Sequence, residues 1–81
     1  MRWIFRRSKN MQIIVTKQNP NGTYDEVGMN NRALFSQYKT ISGAIRYGAK
    51  PYAHGKPCRV EFFTDVYADP FKVIYINGAN P

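Results

Sequence analysis

Apolar and polar positions alternate from Met11 onward. In "MQIIVTKQ", Met11, Ile13 and Val15 share one side, while Gln12, Thr16 and Gln18 lie on the other. A period of two predicts a half-buried β-strand. "NPNG" follows, from Asn19 to Gly22. Pro20 presets its own φ, Asn21 tolerates the next turn position and Gly22 can take a positive φ, so a hairpin is expected. The return strand is expected from Thr23 through Tyr24 to Val27, with "GMNN" interrupting it and "RALFSQY" resuming extended structure.

The period then changes. Ile41, Ala44, Ile45, Gly48, Ala49 and Tyr52 recur at helical spacing, which predicts one apolar helix face. Thr40 is a suitable N-cap. Pro51 removes a backbone donor and clashes with the preceding turn, so the helix is expected to end near Lys50 or to kink and run one turn further. Gly55 closes it in either case. Beyond it, Cys58, Val60 and Phe62 alternate with Arg59, Glu61 and Phe63, a second half-buried strand. "YADP" reads as a turn, "FKVIYIN" as a last strand and "GANP" as a short frayed tail.

The order is therefore β-β-α-β-β. The expected fold is α+β, a four-stranded, mainly antiparallel sheet with one helix packed on one face. One helix cannot cover both faces. If Ile14, Phe63, Tyr75 or Tyr24 project from the far side, that side is a platform for a partner. Free edge strands also leave room for a homodimer.

Composition sharpens the functional reading. At 81 residues the chain is one domain, too small to enclose a deep active site. A single Cys excludes an internal disulfide, and one Cys with one His cannot supply a zinc site. No apolar run is long enough to span a membrane. Net charge is +7. Four units come from Arg2, Arg6, Arg7 and Lys9, which lie with Trp3, Ile4 and Phe5 in residues 1–10. This segment reads as a basic flexible arm, with residues 11–81 forming the folded domain. The excess of positive charge suits nucleic acid or an acidic protein surface.

Three catalytic constellations fail on their chemistry. Gly55-Lys56 matches the centre of a phosphate-cradling GxxxxGK[ST] loop, but Lys50 stands where the first Gly belongs and Pro57 where Ser or Thr would hold magnesium. His54 and Cys58 are separated by Gly55 and Pro57, and Cys58 belongs to the apolar side of its strand. Asp25 and Glu26 are adjacent in an expected strand and point to opposite faces. What remains is a basic-aromatic ridge: Arg46, Tyr47, Lys50 and Lys56, with Arg59 joining it and Arg6 and Arg7 reaching it from the arm. Such cations interleaved with aromatics suit phosphates and stacked bases, and tyrosine also suits protein interfaces. No metal or cofactor is implied.

With "NPNGTYDEVG", "YKTISGAIRYGAKPYA", "RVEFF" and "KVIYIN", the whole chain resembles the small single-domain accessory proteins of bacteriophages, the host-takeover inhibitors and anti-CRISPR proteins. The resemblance implies stoichiometric binding rather than turnover. It implies action in the cytoplasm of a bacterial host, against a host protein or ribonucleoprotein complex. Inhibitors that mimic DNA are acidic and this chain is basic, so contact with an acidic protein surface or with RNA or DNA is expected. The alternative is a sequence-independent module for single-stranded RNA or DNA.

Overall fold

A computed structural model describes residues 10–26, 30–65 and 67–81. The arm's Arg6 and Arg7 lie outside the described residues. Four strands and one helix appear in the expected order: β1 (Gln12–Lys17), β2 (Arg32–Phe35), helix α1 (residues 41–53), β3 (Cys58–Phe63) and β4 (Lys72–Ile76). The sheet has strand order β2-β1-β3-β4 with every pairing antiparallel. The fold is α+β, as the alternation implied.

Register explains the two faces. Ile13 stands opposite Phe35 and Phe62, and Val15 opposite Ala33 and Val60. Val60 in turn faces Ile74, and Cys58 faces Ile76. This side packs under α1. Ile13, Val15, Cys58, Val60 and Phe62 are fully buried against Ala44, Ala49 and Ala53 of the helix. Phe35, Tyr38, Ile41, Ile45 and Tyr52 close the margin. The small residues Ala44, Gly48, Ala49 and Ala53 on the buried side of α1 let its backbone lie close to the strands.

Helix α1 resolves the Pro51 problem by changing its winding. It is α-helical over Ile41–Ala44, π-helical over Ile45–Ala49 and α-helical again over Lys50–Ala53. Pro51 has no N–H for the Tyr47 carbonyl four residues before it. That carbonyl instead accepts the Tyr38 hydroxyl at 2.9 Å. The wider turn relieves the ring clash, so the helix continues past the proline. Thr40 caps the start, its Oγ1 accepting from the Gly43 N–H at 3.1 Å. His54 ends the helix in the left-handed region at φ 55° and Gly55 follows at φ 81°.

The expected return strand from Thr23 does not form. The "NPNG" turn does: Gly22 N–H donates to the Asn19 carbonyl at 2.8 Å, with Gly22 at φ 90°. Beyond it, pairing stops at a single bridge between Gln18 and Tyr24, and Val27 lies outside the described residues. Side chains hold the loop instead. Asn19 donates to Asp25 at 2.9 Å, and Asn31 donates to Asn19 at 3.1 Å. The strand that pairs with β1 therefore begins only at Arg32. The C-terminal tail is also anchored rather than frayed. The Asn80 carbonyl accepts from Tyr24 Oη and from Gln18 Nε2.

Candidate functional site

Two exposed surfaces stand on opposite sides of the sheet. The first is the outer flank of α1. Ser42, Gly43, Ile45, Arg46, Tyr47 and Lys50 line one open groove of about 460 Å³. Arg46, Tyr47 and Lys50 are all exposed, Tyr47 at 64%. No carboxylate lines the groove among the described residues, so its field is set by the guanidinium and the ammonium. Tyr47 is also held from behind. The Tyr38 ring packs against Gly48, where a Cβ would fall 2.8 Å from Tyr38 Cε2, and the Tyr38 hydroxyl holds the Tyr47 carbonyl. The peptide that carries the exposed ring is thus tied to the core.

The second surface is the far side of the sheet. Arg32, Thr16, Arg59 and Tyr75 form one row across the four strands, and Leu34, Ile14, Glu61 and Val73 form the next. Phe63 stands opposite Gln12 beyond them. Ile14, Phe63 and Tyr75 are therefore on this side, as the alternation allowed. Tyr24 joins them by lying over Arg59, with its ring centroid 4.4 Å from the guanidinium carbon and 6.4 Å from the Tyr75 ring.

This geometry moves Arg59 off the ridge. It projects from β3 on the side away from α1, stacks on Tyr24 and meets Glu61 at 3.6 Å. The sequence itself carried the reason: Arg59 alternates with Cys58 and Val60, which face the helix. Lys56 is exposed beyond the helix end, next to Gly55, and does not line the groove. Of the ridge residues, Arg46, Tyr47 and Lys50 come together.

The reactive side chains do not assemble. Cys58 is fully buried, and burial pushes its thiol above the ordinary value, with nearby Lys17 opposing the rise. A thiol held protonated is a poor nucleophile. His54 is exposed at the helix end. Desolvation, then the neighbouring Tyr75, raises the Tyr24 phenol, while Arg59 opposes the shift. Burial likewise raises Tyr52. Among the described residues, no group of three or more His, Cys, Asp or Glu is arranged to hold a metal ion, and no helix is long and apolar enough to cross a membrane.

Ser42, Gly43 and Ile45 line the groove without having been anticipated as site residues, and Tyr38 supports it from behind. Tyr38 had a signal. Pro51 has no N–H to offer the Tyr47 carbonyl, which leaves that carbonyl open to another donor. Comparison of the chain with protein-family models, with curated proteins and with solved structures finds no match.

Proposed function

We propose that this chain is a non-catalytic binding protein that acts by stoichiometric occupation of a partner, as a phage-type inhibitor of a host nucleoprotein complex such as a CRISPR effector. The observation that carries the reading is the groove on α1. Two cations and an exposed tyrosine converge there on a rigid helix, without an acid, a thiol or an imidazole beside them. Cations beside an exposed aromatic ring are the means by which proteins recognise phosphates, carboxylates and bases, which supports a binding role. On this reading the protein acts in the bacterial cytoplasm.

The test is titration of a purified nucleoprotein effector with the full chain. Nuclease or target-binding activity is expected to fall linearly and to reach its floor at a fixed whole-number ratio of inhibitor to complex. The double variant R46E/K50E is expected to fold normally, since exposed charges contribute little stability, and to lose most of the inhibition. Catalytic inactivation at sub-stoichiometric protein would overturn the reading. So would full inhibition by the folded double variant.

A further inference from the structure

We infer that the groove on α1 takes single-stranded nucleic acid, with Tyr47 stacking on a base and Arg46 and Lys50 contacting the adjoining phosphates. This deepens the binding reading above and rests on it. The argument starts from what each side chain offers. Tyrosine serves protein interfaces as well as stacked bases, and the choice between them here turns on an exposed ring held beside two cations with no carboxylate among the groove's described residues. Tyr47 remains 64% exposed although its backbone is tied to the core. An exposed phenol ring carried on a backbone tied to the core offers a surface on which a base can stack.

Arg46 and Lys50 are four residues apart, on and just after the π-helical turn, and line the same groove as the ring. That places two positive charges beside the stacking position, with no carboxylate among the groove's described residues. Ser42 and the Gly43 backbone, at the first turn of the same helix, add small polar groups at the groove margin. They leave room for a sugar or a base edge. The groove is open to solvent, so an extended chain can reach the ring and both cations. A duplex keeps its bases stacked on each other and has no free face to offer Tyr47. The ligand chemistry is therefore a flexible polyanion carrying unpaired bases.

The experiment uses the full chain and fluorescence anisotropy with a labelled oligouridylate of about 12 nucleotides. A duplex of the same length and heparin serve as comparisons. Wild type is expected to prefer the single strand to the duplex. Tyr47→Ala is expected to weaken single-strand binding roughly 5- to 150-fold while leaving heparin binding unchanged. Tyr47→Phe is expected to retain the affinity, because the ring stacks without its hydroxyl. Removing both cations in R46A/K50A is expected to flatten the slope of log K against log salt by about 1.4. Circular dichroism checks that each variant folds. Equal affinity for single strand and duplex overturns the inference, as does single-strand affinity that survives Tyr47→Ala. If R46E/K50E abolishes inhibition of the nucleoprotein effector while wild type shows no oligouridylate binding, the ligand is a protein surface. The inference then fails and the binding reading stands.

Discussion

Gly48 is the position where helix propensity and packing oppose each other, and exchanging it for alanine separates the two. Alanine in a helix interior is favoured over glycine by about 0.5–1 kcal/mol. At Gly48 the added methyl meets Tyr38 Cε2 at 2.8 Å, well inside contact distance. The ring cannot simply swing aside. Its hydroxyl is bonded to the Tyr47 carbonyl and its ring packs near Phe35, with ring centroids 6.2 Å apart. Overpacking of this kind costs about 1–3 kcal/mol, and losing the hydroxyl bond adds about 1 kcal/mol. Gly48→Ala is therefore expected to destabilise by about 1–3.5 kcal/mol after the propensity gain is subtracted. With the ring removed in Tyr38→Ala, the same methyl enters free space. There Gly48→Ala is expected to stabilise by about 0.5–1 kcal/mol. The sign change is the diagnostic result. It is read from urea unfolding followed by far-ultraviolet circular dichroism on all four corners of a double-mutant cycle. A chain of this length has about 4–12 kcal/mol in total, so the differences are measurable. Stabilisation by Gly48→Ala in the wild-type background, or the same loss in both backgrounds, would refute the packing account.

Thr16→Val is expected to stabilise by about 1 kcal/mol, because the Thr16 hydroxyl is fully buried without a protein hydrogen-bond partner and valine keeps its shape; a loss of stability in urea unfolding would mean the hydroxyl is satisfied. Arg59→Ala is expected to cost about 1–2 kcal/mol by removing the guanidinium under Tyr24, and to leave inhibition by the groove unchanged; unchanged stability with lost inhibition would return Arg59 to the ridge. Stability is expected to decline at alkaline pH. Burial raises the folded-state value of Cys58 above its ordinary 9.0, and those of Tyr24 and Tyr52 above 10.0. The unfolded chain then loses these protons first, so the contribution is complete below pH 9 and disappears as pH rises through the folded-state values. Urea midpoints measured from about pH 8 to about pH 11 check this, and a profile that Cys58→Ala leaves unaltered around pH 9 would exclude the thiol's part.

What the sequence carried was whatever depends on local period. Alternation in Met11–Val15 and Cys58–Phe63 specified both strands and their inward faces, because a sheet with one covered side imposes a period of two. The helical spacing from Ile41 to Tyr52 was legible for the same reason. The second strand was legible in part: β2 lies within "RALFSQY", expected to be extended, whereas the return segment from Thr23 forms only a bridge because "NPNG" dictates a turn and not what pairs after it. Its return segment is held by Asn19, Asp25 and Asn31, whose mutual contacts span 6 and 12 residues and leave no periodic trace. Arg59 was drawn toward the ridge by its nearness in sequence to Lys56, although its own strand's alternation already turned it to the other face.

Pro51 shows how a feature that looks like a defect in the sequence becomes part of the site's construction. A proline in the last third of a helix strands one carbonyl and demands a wider turn. Here the stranded carbonyl belongs to Tyr47, the residue whose exposed ring lines the groove. The donor that satisfies it comes from Tyr38, which reaches it only because Gly48 has no side chain in the way. The π-helical turn absorbs the ring clash over the same residues that carry Arg46 and Tyr47 outward. Backbone satisfaction, core packing and the anchoring of the backbone that carries the exposed ring thus depend on one set of four residues, Tyr38, Tyr47, Gly48 and Pro51. An alanine at position 51 would restore the missing donor and remove the need for the Tyr38 bond. The helix would then have no reason to widen where the groove is built. The proline is best understood as the element that fixes where the helix widens, and through Tyr38 it couples the groove to the core beneath it.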